Sequence, residues 1–140
     1  LAAFDDEGDN MITIIYTGLL GLLFIALSIY VVMGRIKYRI SIGNGDNPDM
    51  AKRVRVHGNF AEYVPFGLLL LLLVDYCEYG PWIIHLLGLA LLGGRVLHAL
   101  ALPSDNFTLR KIAMFLTFGM FVISSLLLIW RFTALQMTGF

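Results

Sequence analysis

Four apolar runs, at residues 12–33, 60–79, 82–102 and 112–132, each approach the roughly 20 residues that an α-helix needs to cross a bilayer. No run alternates apolar and polar residues with a period of two, which argues against a transmembrane barrel. Apolar residues make up 59% of the chain and charged residues 14%, leaving little sequence for a soluble domain. The expected fold is an all-α integral membrane protein, a four-transmembrane-helix bundle built from residues 11–140 as one domain. Residues 1–10 are acidic, contain no methionine and precede Met11, where the apolar pattern begins. They read as a non-native leader, and without a basic n-region or a small-residue cleavage site they do not resemble a secretory signal.

Lysine and arginine orient the bundle, although ten of them balance ten acidic residues. Arg35, Lys37, Arg39, Lys52, Arg53 and Arg55 flank the first connection, and Arg110 and Lys111 follow the third. Both connections are therefore expected on the cytoplasmic side. The second connection carries Asp75 and Glu78 and no basic residue, and only Arg131 marks the end of span four, so both termini are expected outside. Membrane lipids are expected partners, and no nucleic acid is expected.

Lys52, Arg55, Asn59, Glu62 and Phe66 fall within roughly an 80° arc of one helix at about 100° per residue. A carboxylate and a guanidinium near hydrocarbon are costly unless paired or given a ligand, which makes this stripe a candidate functional site. Asn47 as cap and Pro48 at the first helical position start the helix, which is expected to run to Tyr79. It would be about 48 Å long against a hydrocarbon core of about 30 Å. Counting back from Tyr79 puts Arg55 at headgroup level and Glu62 just inside. If Glu62 accepts from a ligand ammonium, the stripe is half a binding site; if it pairs only with Arg55 or Arg95, the stripe is structural. Pro65 leaves the Ala61 carbonyl without its helical donor beside Glu62, which fits a packing kink or a site-shaping one.

Span three carries Arg95 and His98 one turn apart near its cytoplasmic end, and Gly88, Gly93 and Gly94 permit close approach of a neighbouring helix. Arg95 either faces the protein interior or snorkels to the headgroups; His98 is a packing histidine or a ligand contact. Span four follows the turn cluster Pro103, Ser104, Asp105 and Asn106, which puts Arg110 and Lys111 in its first turn or just beyond. Cations there oppose the helix dipole, and a carboxylate or thiolate would relieve both; a topology signal also accounts for Lys111. His57 lies about 200° around the helix from Arg55 and is expected to touch another helix. The single cysteine, Cys77, is about 33 Å along the axis from Arg55. Thiol chemistry at the stripe therefore needs a thiol brought by a cosubstrate. No metal site is expected.

The segment from Arg55 to Phe66, RVHGNFAEYVPF, resembles the second-helix signature of the MAPEG family, the membrane-associated proteins in eicosanoid and glutathione metabolism. The spacing is specific: Arg, then Asn four residues on, then Glu three further, followed by an aromatic and a proline. Tyr38-Arg39-Ile40-Ser41, Gly94-Arg95 and Arg110 extend the resemblance over residues 11–132. It implies a homotrimer of four-helix subunits, with glutathione as cosubstrate between adjacent subunits near the cytoplasmic face. On this resemblance Arg35 and Arg55 partner the glutathione carboxylates, Asn59 hydrogen-bonds its backbone and Glu62 accepts from its amino group. Tyr63, Arg95 and His98 complete the binding pocket, and Arg110 is the catalytic residue that stabilises the thiolate.

Glutathione presents two carboxylates, one ammonium and a thiol, which suits a site of several cations and one anion. Leu102 and Lys111 stand where family enzymes often carry tyrosine and serine, and Met114 where one prostaglandin-converting branch has tyrosine. The pattern fits a bacterial-type inner-membrane member. Such a protein would be a glutathione transferase or peroxidase in detoxification, acting on lipophilic small-molecule electrophiles. The alternative within the family is a non-enzymatic lipid-binding scaffold, which needs no thiolate site. A small efflux transporter would need an acidic residue in the first span, which has none. A haem bundle through His57 and His98 is disfavoured by the direction of His57.

Overall fold

Helices α1 (Thr13–Tyr38), α2 (Pro48–Tyr76), α3 (Pro81–Ala101) and α4 (Phe107–Met137) account for most of a computed structural model that describes residues 11–137. No strand occurs among the described residues, and the leader expected at residues 1–10 lies outside them. All four helices are long and apolar enough to cross a membrane. At 1.5 Å per residue α3 is about 31 Å long and matches the hydrocarbon core, whereas α2 and α4 exceed about 40 Å and project beyond it.

α1 packs chiefly on α2 and α3 chiefly on α4; α2 also meets α3 and α4, and α1 meets α3. α1 and α4 occupy opposite corners with no packing between them. Leu20, Leu71, Val74, Ile84, Leu87, Leu91 and Met120 fill the centre. Two of the three glycines expected to permit close approach do so. A Cβ at Gly88 would run into the Tyr16 ring, and one at Gly94 would meet Thr117 and the Ala113 carbonyl of α4. Gly93 does not: the space around it is open.

α2 starts where the sequence indicates. Asn47 Oδ1 accepts from the Met50 N–H at 2.9 Å and Pro48 occupies the first turn, a cap worth about 1 kcal/mol. It continues through Pro65 and stops at Tyr76, three residues short of the expected Tyr79. The chain turns at Cys77, Glu78 takes a left-handed conformation at φ 58°, and Pro81 opens α3. Counted from this earlier end, the stripe sits almost one turn deeper than Tyr79 implied, which brings Asn59 as well as Glu62 inside the core boundary. α1, conversely, runs past its apolar stretch to Tyr38, because Arg35 and Lys37 in its last turn complement the helix dipole. Arg39 then closes it at φ 54°, and the Ile40 N–H donates to the Arg35 carbonyl at 3.1 Å.

At the opposite end, α1 has no side-chain cap of its own. Asp75 supplies one from α2, its Oδ2 accepting from the Thr13 N–H at 2.8 Å. The Tyr16 hydroxyl lies 2.9 Å from His85 Nδ1 and 3.1 Å from the His85 carbonyl, and Tyr79 donates to the Leu127 carbonyl at 2.7 Å. These contacts fix the helices axially at the end remote from the polar stripe.

Candidate functional site

The basic end of the bundle is where α1 and α3 finish and α2 and α4 begin. The capped start of α2 sets its rotation there, and packing against α3 divides the stripe. Asn59 is turned inward and is only 4% exposed, whereas the side chains of Arg55 and Glu62 remain 58% and 54% exposed. Phe66 also faces outward. Lys52 leans to the α3–α4 connection, where its Nζ lies 2.6 Å from Asp105 Oδ2.

Glu62 pairs with Arg55, Oε1 to Nη1 at 3.6 Å. Arg55 is one of the two ion-pair partners the sequence offered for Glu62, and the contact is weak. An exposed pair at the edge of contact distance contributes about 0–1 kcal/mol, and a ligand ammonium brought to Glu62 competes with little to displace.

Arg95 faces the protein interior and does not snorkel: it is 2% exposed. Its Nη1 donates to Asn59 Oδ1 at 2.7 Å, and its Nη2 donates to Thr117 Oγ1 at 2.7 Å and to Met114 Sδ at 3.7 Å. The Tyr63 ring lies 5.3 Å from the guanidinium carbon. One residue of α3 thereby ties α2 to α4. The close approach at Gly94 makes this geometry available, since it brings Thr117 within reach. His98, one turn further on, is buried beside it. Tyr63 is half-buried, with Phe118 and Phe121 of α4 at ring-centre distances of 5.7 and 6.2 Å.

Arg110 is exposed in the first turns of α4. Asn106 caps this helix, its Oδ1 accepting from the Leu109 N–H at 2.9 Å. One of the backbone donors open to an anion is thus already occupied, and Arg110 carries more of any anion binding there. A small pocket between Ala101, Leu102, Asp105, Asn106 and Phe107 opens onto Arg110. Arg35 stands apart: its Nη1 donates to the carbonyls of Ser41 at 3.0 Å and Gly43 at 3.3 Å, organising the first connection. His57 meets α1 as its position around the helix implies, with Nε2 3.0 Å from Ser28 Oγ and its ring against Phe24.

The bundle thus brings Asn59, Tyr63, Arg95 and His98 together in its interior, with Arg55 and Glu62 on the adjoining outer face. Thr117 was not legible as part of this end, and the contacts of Asp105 with Lys52 and of Arg53 with Tyr30 were not legible in the sequence. Arg53 donates to the Tyr30 carbonyl at 2.7 Å and lies 3.9 Å from that ring centre, locking α2 to α1. Chemically, the exposed groups complement a ligand with more negative than positive charge and a single ammonium. A second feature lies on the far side of α2: an apolar groove against α1, lined by Leu20, Phe24, Phe60, Val64 and Pro65 among others.

The MAPEG family model matches residues 13–130. Inner membrane protein YecN of Escherichia coli strain K12 is 30% identical over 120 residues, covering 86% of this chain and 92% of that protein. The protein of the same name from Escherichia coli O6:H1 is similar to the same extent. No solved structure matches.

Proposed function

Because the chain belongs to the MAPEG family, which includes glutathione transferases and peroxidases, we propose that it is a glutathione-dependent membrane transferase or peroxidase acting on hydrophobic electrophiles. The observation that carries this reading is the polar cluster at the basic end: a buried Arg95–Asn59 pair behind an exposed Arg55, a single carboxylate in Glu62, and Arg110 at the head of α4. Arg55 and Arg35 are the cationic partners of the glutathione carboxylates, Arg35 by leaving its loop carbonyls. Asn59 bonds the peptide backbone, Glu62 receives the ammonium, and Tyr63 and His98 line the pocket with Arg95 behind them. Arg110 holds the thiolate. A positive charge beside the thiol favours its ionised form over the free value near about 8.5, and the thiolate is the nucleophile.

Family membership supports a homotrimer as the working unit, with glutathione held between subunits against the exposed Arg55 and Glu62. The YecN similarity and the four apolar helices together support a multi-pass inner-membrane location. The Lys and Arg asymmetry of the connections supports a cytoplasmic basic end. Hydrophobic electrophiles reach the site from the bilayer.

A thiolate difference spectrum tests this. Glutathione added to purified protein near neutral pH is expected to give thiolate absorbance in wild type and about tenfold less in Arg110→Met. Equal absorbance in the two proteins would remove Arg110 from the catalytic role. The apolar α1–α2 groove favours a second reading, a lipid-binding scaffold. That reading is supported if glutathione binds without any thiolate signal.

A further inference from the structure

We infer that Arg95 is a positioning residue that fixes the donor sense of Asn59, so that the stripe presents an N–H, and never a carbonyl, between Arg55 and Glu62. This rests on the glutathione reading of the site and specifies what that site demands of its ligand.

Arg95 is almost wholly buried, and the ion pairs of this end, Lys52–Asp105 and Arg55–Glu62, leave it out. A guanidinium held without a carboxylate is expensive in a membrane interior. Its hydrogen-bond partners are neutral: Asn59, Thr117 and Met114. A ligand cannot displace these without opening the α2–α3–α4 junction, so Arg95 acts through what it holds.

Guanidinium groups only donate. The atom of Asn59 that meets Arg95 Nη1 at 2.7 Å is therefore its carbonyl oxygen, and the amide cannot be read the other way round. Thr117 offers no alternative, because its own hydroxyl donates to the Ala113 carbonyl at 3.0 Å and is left to accept from Arg95. With Oδ1 held inward, Nδ2 is directed away from Arg95, and among the described residues nothing accepts from it. Asn59 lies one turn from both Arg55 and Glu62. The three groups form a fixed recognition pattern: a cation, a neutral donor and an anion. A matching ligand places acceptors at Arg55 and Asn59 and a cationic donor at Glu62. A peptide carbonyl or carboxylate fits at Asn59, whereas a ligand N–H there would face another N–H.

Asn59→Asp is the discriminating variant. It keeps an oxygen on Arg95, gives the buried guanidinium a counter-charge, and replaces the Nδ2 donor by an acceptor. It is expected to unfold at or above the wild-type midpoint while its glutathione affinity, by calorimetry in detergent, falls about tenfold or more. Arg95→Gln tests the same link from the other side. Freed to rotate, the Asn59 amide should raise KM for glutathione several-fold with a much smaller change in kcat. A folded Asn59→Asp that binds like wild type, or an Arg95→Gln with unaltered KM, overturns the inference and leaves the glutathione reading standing. Failure of wild type to bind glutathione overturns both.

Discussion

Adjacent glycines of α3 provide an internally controlled test of how the site is assembled. A Cβ built at Gly94 lies 2.6 Å from Thr117 Oγ1 and 3.0 Å from the Ala113 carbonyl, while one at Gly93 meets nothing within 4 Å. Neither neighbour of Gly94 can yield alone. Ala113 O is backbone, and Thr117 Oγ1 is held by both Arg95 and that same carbonyl. Gly94→Ala must therefore push α4 outward and lengthen the Arg95–Thr117 bond. Overpacking of this kind costs about 1–3 kcal/mol. Both substitutions gain about 0.5–1 kcal/mol from replacing a helical glycine by alanine. That gain cancels between them, so Gly94→Ala should be about 1–3 kcal/mol less stable than Gly93→Ala in equilibrium unfolding in mild detergent. Gly94→Ala should also bind glutathione more weakly, since the displaced Thr117 no longer holds Arg95. Equal stability of the two variants would refute the tight α3–α4 approach and the site geometry built on it.

Other perturbations separate strong contacts from weak ones. Asp75→Ala leaves the α1 N-terminus uncapped and should cost about 1 kcal/mol, whereas Asp75→Asn, which keeps an acceptor for the Thr13 N–H, should lose less; denaturation midpoints of the two report the difference. Asp105→Ala breaks the short Lys52 contact, but Asp105 is 75% exposed, and the unfolding midpoint should stay within error of wild type. Tyr79→Phe removes the donor to the Leu127 carbonyl and should destabilise by about 1 kcal/mol on the same assay.

Much of the scaffold is local in origin and was legible as such. The apolar run lengths specify four spans, Asn47 and Pro48 specify the start of α2, and the Asn106 turn specifies that of α4. The direction of His57 followed from helical geometry alone. The expected end of α2 lies too far along because Tyr76, Cys77 and Tyr79 extend the largely apolar run past Asp75, while the turn is set by backbone geometry at Cys77 and Glu78. Contacts between distant segments were the other gap. Asp75 capping α1, Arg53 on Tyr30 and Arg95 on Thr117 join residues whose spacing carries no periodic signal. The polar stripe was legible as a face of α2, but its division into a buried Asn59 and an exposed Arg55–Glu62 pair depends on where α3 packs.

Binding of glutathione at the basic end is proposed to run through Glu62 and Arg55. Calorimetric titration of glutathione into the detergent-solubilised protein measures it directly. Saturable binding at or below millimolar concentration is expected in wild type, and at least a severalfold loss in Glu62→Ala. No wild-type binding, or undiminished binding in Glu62→Ala, would show instead that the Arg55–Glu62 contact is structural and that the stripe is not a glutathione site.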